Sequence, residues 1–335
     1  MHRLSLSRVT PVTTGVARVV TRVTPVKTGV VLLALLALFA LPASAQQRIH
    51  RDARLERQLA ALADSVRGDV GIYVHNLKTG VTAEVNADSV FPTASMIKVP
   101  ILVTLFDQII KGNVDIHQRL VYTDSLLYPG TDILGSFKDS MTIDVSELIM
   151  LMLTMSDNTA SLWLQSLAGG GVTINQWLEA HGFEHTRMNS RTEGRRGDWE
   201  RYGWGQTSPR EMARLVTMIR AGKAVSEAAS QEMYRALTRS FWNGQALAEL
   251  PPWVQAASKQ GAVDQARGEV VLVNAPSGDY VFCVTTKNLA DTTWAPGNEG
   301  WELIRQVSAL LWKRFEPKHP WRPAAGAAAL KASEE

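Results

Sequence analysis

A single cysteine, Cys283, occurs in the 335 residues. That excludes an intramolecular disulfide and any cysteine-rich metal framework. Cys283 lies in the apolar run Tyr280-Val281-Phe282-Cys283-Val284, which reads as a buried strand and makes the thiol a core residue, not a nucleophile. The histidines are scattered, with no His-Glu-x-x-His and no Cys/His cluster, so neither a metal nor a cofactor is expected. Internal repeats are lacking, which excludes solenoids and propellers. A large charge of one sign is lacking too. The formal net charge is +3, from 35 basic and 32 acidic residues.

Residues 1–45 carry Arg3, Arg8, Arg18, Arg22 and Lys27 and no acid. The apolar stretch Val30 to Leu41 follows, then Pro42 and the small-residue site Ala43-Ser44-Ala45. This reads as a secretory signal cut after Ala45, and the stretch is short for a membrane span. No cysteine follows it to take a lipid. The expected mature chain is therefore periplasmic or secreted, with no stable membrane anchor, and a monomer is favoured. Without those five basic residues the balance is 30 against 32, near −2. The basic excess belongs to the export segment, and nucleic acid is not an expected partner.

The mature chain has strands at both ends and helices between. Asp52 to Val66 has helical periodicity. Gly68 to His75 and Val81 to Val85 read as a hairpin around Asn76-Leu77-Lys78-Thr79-Gly80. Asp144 to Met155 and Ser161 to Leu167 read as helices, and Ser208-Pro209-Arg210-Glu211 as a capped helix start. Trp253 to Ser258, Gly268 to Val273 and Asp279 to Thr286 read as strands, and Gly300 to Phe315 as a closing helix. Hairpins at both ends require a mainly antiparallel sheet. The expected architecture is α and β: a sheet flanked by the terminal helices in three αβα layers, with an all-helical lobe. Residues 46–90 and 250–315 make the sheet subdomain and 91–249 the helical one. The Pro- and Ala-rich tail 316–335 is expected to be disordered. A cleft between sheet and lobe is the default place for a site.

Ser95-Met96-Ile97-Lys98 is the one Ser-x-x-Lys in the chain. Residues three apart share a helix face, so the Lys98 amine can reach the Ser95 hydroxyl, and a serine needs such a base to attack at neutral pH. Alone, the motif reads more readily as a helix cap beside a solvated lysine. Its company matters more. Ser156-Asp157-Asn158 follows a helix ending at Met155, and Ser258-Lys259-Gln260-Gly261-Ala262 lies on a late strand. Two literal Lys-Thr-Gly triplets, Lys27-Thr28-Gly29 in the export segment and Lys78-Thr79-Gly80 in a hairpin, precede Ser95 and are decoys. Ser-x-x-Lys, Ser-Asp-Asn and Lys-Thr-Gly in this order are the signature of class A β-lactamases and penicillin-binding proteins. The chain resembles that superfamily, class A most closely, from about Arg54 to Phe315.

The resemblance implies a β-lactamase/transpeptidase-like fold and a small-molecule substrate, a β-lactam or a peptidoglycan-like peptide. It implies that Ser95 forms an acyl-enzyme, with the N–H groups of Ser95 and Ala262 holding the oxyanion. Lys98 is then a candidate base, since like charge from Lys259 and desolvation favour the neutral amine. Ser156 relays a proton to the leaving nitrogen, and Asn158 holds a substrate amide and Lys98. A catalytic carboxylate belongs in the loop before the Ser208 helix. Glu193 takes that place, Arg191 stands as the loop's structural arginine, and Asp198 and Glu200 are the other acids within reach. Glu193 reads otherwise as a solvated acid. Lys259, Gln260 and Gly261 line the substrate side. Arg267 is either a bidentate partner for the substrate carboxylate or a solvated hairpin residue, and Tyr128 either a cleft wall or a turn tyrosine. Three departures stand out. Gln260 replaces a small hydroxyl residue, Gly197 replaces an asparagine, and the loop arginine has no plain acidic partner except Asp198. A D,D-peptidase or another acyl hydrolase on the same scaffold is the alternative reading.

Overall fold

The computed structural model describes residues 49–331. The export segment 1–45 lies outside the described residues. Two short patterns start the chain's structure. Strand β1 (His50–Arg51) is followed by helix α1 (Ala53–Ala63), which buries Leu55, Leu59 and Ala63 on one stripe. Strands β2 (Asp69–Asn76) and β3 (Val81–Val85) form the expected hairpin. Its turn is set by Asn76, whose Oδ1 accepts from the N–H groups of Lys78 at 3.1 Å and Thr79 at 2.9 Å.

Strand β4 (Phe91–Pro92) leads through a 3₁₀ turn, Ala94–Ile97, into helix α2 (Lys98–Ile110). Strands β5 (Arg119–Val121) and β6 (Thr142–Asp144) pair with each other. Helix α3 (Val145–Met150) passes into a π turn, Leu151–Met155, and helices α4 (Asn158–Leu167) and α5 (Gly170–Ala180) complete the lobe. Strand β7 (Arg187–Met188), helix α6 (Arg196–Tyr202) and strand β8 (Gly205–Thr207) carry the loop beside the site. Helix α7 (Pro209–Arg220) starts as the sequence indicates, with Ser208 accepting from the Glu211 N–H and proline in the first turn. Helix α8 (Glu227–Leu237) follows. Strands β9 (Ala256–Val263), β10 (Ala266–Val273) and β11 (Tyr280–Lys287) and helix α9 (Glu299–Phe315) finish the chain.

The six-stranded sheet runs β1-β3-β2-β11-β10-β9. Apart from the short parallel β1–β3 pair, its strands are antiparallel. Strand β10 is buried along its whole length and β11 nearly so, as expected for central strands covered on both faces. Alternate residues feed two cores. Val271, Val273, Phe282 and Val284 pack with α1 and α9. Val270, Leu272, Val281 and Cys283 pack toward the helical lobe. Burial pushes the Cys283 thiol well above its ordinary range, which keeps it inert.

Two expectations are corrected. The sequence pattern puts a strand at Trp253 to Ser258; β9 instead starts at Ala256 and continues through the Lys259 segment to Val263, and the turn falls at Asp264-Gln265. The tail is not loose after Phe315. Glu316 is buried, its carboxylate accepts from the Ser277 N–H at 2.7 Å and hydroxyl at 2.9 Å, and it lies 2.8 Å from His319 Nδ1. Trp312 Nε1 donates to the His319 carbonyl, and Trp321 packs on the α1/α9 core. Two anchoring side chains outweigh a Pro- and Ala-rich composition.

Asp52 ties the two covering helices together. It caps α1 by accepting from the N–H groups of Arg54 and Leu55, and it pairs with Arg314 at 2.5 Å. Burial raises its pKa, but the bonds from Leu55 and Arg314 outweigh burial and hold it below the ordinary carboxylate value. Asp52→Ala is expected to cost about 1 kcal/mol in urea unfolding at neutral pH. Because the folded pKa is the lower one, this stabilisation is complete above the unfolded pKa near ~3.9 and fades as pH falls through the folded value. The gap between variant and wild type should therefore narrow as unfolding curves are taken at progressively more acid pH below the unfolded carboxylate value.

Candidate functional site

Ser95 lies in the 3₁₀ turn that enters α2, one residue after Ala94, whose φ is +43°. In a 3₁₀ turn residues three apart eclipse each other, which stacks Lys98 directly on Ser95. Lys98 is fully buried, and its Nζ lies 3.1 Å from Ser95 Oγ. The same nitrogen lies 3.0 Å from Ser156 Oγ and 3.0 Å from Asn158 Oδ1, and it donates to the Ser156 carbonyl.

Ser156 arrives by a different device. The π turn Leu151–Met155 ends helix α3 and leaves Ser156 in the left-handed region at φ +63°. Such a conformation in a residue with a Cβ is strained and is held by its surroundings. The Asp157 carboxylate supplies them. It accepts from the N–H groups of Ile133 at 2.6 Å, Leu134 at 2.9 Å and Ala160 at 2.7 Å. Asp157 is thus a clamp between the lobe and the 128–134 loop, and Ser156 on one side and Asn158 on the other are set by it. Asn158 also donates its N–H to the Thr131 carbonyl at 2.8 Å.

Strand β9 brings Lys259 from the sheet. Its Nζ is fully buried, 3.0 Å from Ser156 Oγ and 2.9 Å from the Gln260 carbonyl. Two buried amines from opposite subdomains therefore converge on one hydroxyl. Gly261, two residues on and on the same face, lies against the Ser95 turn. A Cβ built there would stand 2.4 Å from the Thr93 carbonyl and 2.7 Å from the Ser95 N. Ala262 follows on the same edge strand.

Ser95, Lys98, Ser156, Asn158, Lys259 and Gly261 are thus brought together. Four other residues sit differently from the sequence reading. Gln260 alternates to the other face, opposite Glu269 in register, and is fully buried. Its Oε1 lies 3.4 Å from Lys259 Nζ, so it supports that lysine from behind and presents no surface to a ligand. Arg267 is also on the far face. Gly268 beside it faces Met96, whereas Arg267 packs against Gly300 and between the rings of Trp294 and Trp301. Its guanidinium donates to the carbonyls of Val263, Ala266 and Thr293. It is a structural residue, and the two-residue period of the strand is the reason it cannot face the cleft.

Glu193 is exposed, and none of the hydrogen bonds around Lys98 involves it. Arg191 is exposed at φ +49°, and the fixing of the loop falls to Arg195. Arg195 donates from Nε to Asn189 Oδ1 at 2.7 Å and from Nη2 to Gln206 Oε1 at 3.0 Å, and pairs with Asp198 at 2.9 Å. Glu200 pairs with Arg196 at 2.7 Å. Gly197 is exposed in the first turn of α6, with nothing near a built Cβ. The loop has been turned into a short helix whose acids face outward.

Tyr128 lies beside an aromatic that no motif selects. Trp204 lies with its ring centre 6.0 Å from Lys98 Nζ and packs edge-on to Tyr128 at 5.1 Å. Its carbonyl accepts from the N–H groups of Asn189 and Ser190. The Arg195–Asp198 spacing of three was the one local signal for the loop's true clamp. Trp204 had none, because only the return of β8 beside the Ser95 turn places it. Among the described residues there is no group of three or more His, Cys, Asp or Glu side chains that could hold a metal ion.

The model of the β-lactamase enzyme family matches residues 54–315. Among curated proteins, β-lactamase VEB-1 of Pseudomonas aeruginosa is 24% identical over 264 residues, covering 75% of this chain and 87% of that protein. A β-lactamase of Streptomyces fradiae is 26% identical over 297 residues, covering 85% and 86%. Among solved structures, a PBP-A mutant captured as an acyl-enzyme with penicillin G superposes with a TM-score of 0.72 at 30% identity, covering 80% of this chain and 98% of that one. A β-lactamase from Sphaerobacter thermophilus gives 0.71 at 22% identity, covering 80% and 100%.

Proposed function

Since the chain belongs to the β-lactamase enzyme family, and so is a hydrolase of β-lactams, we propose that it opens the lactam through a covalent acyl-enzyme on Ser95. The observation that carries this reading is the pair of buried amines sharing the Ser156 hydroxyl at 3.0 Å each, with Lys98 also 3.1 Å from Ser95 Oγ. Four oxygens surround Lys98 Nζ, whereas an ammonium has three protons. To act as the base Lys98 must be neutral, with its lone pair toward Ser95 Oγ and its two protons on the other oxygens, and adjacent Lys259 disfavours a second buried cation.

Lys98 takes the Ser95 proton as Oγ attacks the lactam carbonyl carbon. The N–H groups of Ser95 and Ala262 hold the tetrahedral oxyanion. The C–N bond then breaks, and the proton passes from Lys98 through Ser156 to the leaving nitrogen. Lys259 provides positive charge for the carboxylate that β-lactams carry, and Asn158 orients Lys98. Hydrolysis of the ester needs an activated water. Glu193 is the acid the family pattern assigns to that step, but its outward position requires the 191–197 segment to turn it inward first. Deacylation is therefore the slow step.

Intact-mass spectrometry during turnover of a penicillin tests this. The expected record is rapid gain of one penicilloyl mass at Ser95, a burst of product, and slower steady turnover. Turnover with no adduct at any time, or an adduct on another residue, would sink the mechanism. We also place the working enzyme outside the cytoplasm, on the charge, apolar and cleavage pattern of residues 1–45. Cell fractionation should find a chain beginning at Gln46 outside the inner membrane.

A further inference from the structure

Glu269 on β10 is buried, and neither the motifs nor the proposed steps use it. Its carboxylate accepts from Ser258 Oγ at 2.5 Å and from the Ala246 N–H at 2.9 Å. An O–H bond that short is of the charge-assisted kind, so the group is ionised. A buried anion calls for a counter-charge, and Ser258 and Ala246 are neutral. Directly opposite Glu269 in the strand pair stands Gln260, also fully buried. Side chains so opposed have Cβ atoms within about 5.5 Å of each other. Gln260 Oε1 lies 3.4 Å from Lys259 Nζ, which also donates to the Gln260 carbonyl at 2.9 Å. An amide has one acceptor end and one donor end. With its oxygen toward the amine, its nitrogen is the end for the carboxylate. The field of Glu269 reaches the lobe side of the sheet as well. After burial, it is the cause that holds the Cys283 thiol above its ordinary range.

We propose that Glu269, acting through the Gln260 amide, is the buried counter-charge of Lys259, and so a positioning residue that keeps the proton on Lys259 and leaves Lys98 as the neutral base. Both amines lie 3.0 Å from Ser156 Oγ, and two ammonium groups that close disfavour each other. An anion behind one of them decides which is charged. Other groups packed about this layer are Lys98 from α2, Cys283 from β11, Arg267 from β10 and Ser308 from α9. Arg267 directs its guanidinium to the carbonyls of Val263, Ala266 and Thr293, and the Ser308 hydroxyl donates to the Ala246 carbonyl. The relay also accounts for glutamine where the family pattern has a small hydroxyl residue, which could not span from carboxylate to amine. The inference rests on the reading that Lys259 acts as a cation and Lys98 as the base.

The test is Glu269→Gln, an isosteric change that keeps an acceptor for the Ala246 N–H. In the wild type, kcat/KM for benzylpenicillin should fall on the alkaline side as Lys259 loses its proton. In the variant that limb should move about one pH unit lower, a tenfold loss of proton affinity, and move more than the acid limb. Lysine isotopically labelled at Cε, with the Lys259 signal assigned from Lys259→Met, should show the same displacement by NMR, which a packing change alone would not produce. Where the two readouts differ, the lysine signal decides. A Lys259 signal that titrates where it does in the wild type, including alongside a uniform loss of rate at every pH, overturns the proposal. If Glu269→Gln does not fold, Gln260→Met decides. A displacement of similar size supports the relay, because the lost 3.4 Å contact is itself weak, and none overturns it. Failure of the hydrolase reading shows separately, as no turnover of benzylpenicillin by the wild type, and the Lys259 titration then stands as the test by itself.

Discussion

Lys98→Met is expected to slow acylation of the enzyme by about 10²- to 10⁴-fold, the usual contribution of a positioned general base, and Ser95→Ala to remove the adduct altogether. The magnitude follows from what surrounds the amine. Among the described residues, Lys98 is the one base within hydrogen-bond reach of Ser95 Oγ, at 3.1 Å. Lys259 reaches Ser156, not Ser95. Without Lys98 the nucleophile must lose its proton to water or through Ser156. Methionine fills most of the volume of the lysine stem, so the core around it is kept. The variant still leaves the Ser156 carbonyl and Asn158 Oδ1 without a donor, at about 1–3 kcal/mol for a buried acceptor. Thermal unfolding will show that cost, and stopped-flow acylation will show the chemical one. A pH profile separates them. The wild-type acylation rate should fall toward acid as the base protonates, and the residual rate of Lys98→Met should lose that limb. Near-wild-type acylation in the variant would remove Lys98 from the mechanism.

Most of the fold was legible because its signals are local. The β2–β3 hairpin, the Ser208 cap and the closing helix each depend on residues within a few positions of one another. The candidate site's cluster was legible for a different reason, since three motifs in fixed order name their own members. What the sequence concealed was direction. Arg267 and Gln260 lie one position out of phase with Gly268 and Gly261, and a period of two sends them to the face beneath α9. The loop before α7 also escaped, because its fate depends on long-range pinning. Buried Glu211 accepts the N–H groups of Glu184, His185 and Thr186, so the loop enters at one fixed point. From there Arg195 draws Asn189, Asp198 and Gln206 together and leaves Glu193 outside. Within residues 184–200 the Arg195–Asp198 spacing is the one local hint, and it does not by itself decide between two arginines, four residues apart, for one structural role.

Gly261→Ala is the substitution expected to disable the site while leaving each reactive side chain in place. Glycine here is a matter of distance, since its backbone lies in an ordinary strand. The edge strand β9 approaches the Ser95 turn so closely that a methyl group would stand 2.4 Å from the Thr93 carbonyl oxygen and 2.7 Å from the Ser95 nitrogen. Both neighbours are backbone, and neither can rotate away as a side chain would. Strand and turn must separate by several tenths of an ångström. The separation falls on the distance between the Ser95 and Ala262 N–H groups, which are proposed to share one oxyanion. Losing one donor of such a pair costs about 10²- to 10³-fold in rate, and Gly261→Ala should approach that loss in the acylation step. Lys259 sits on the same strand, but its long stem can follow a small shift and keep its bond to Ser156. The variant should therefore bind an uncleaved penicillin almost as well as the wild type while acylating slowly, so kcat falls and KM changes little. A loss confined to KM would mean that β9 serves only to bind. Unchanged kinetics, with the variant folded, would show that the Ala262 N–H takes no part in holding the oxyanion.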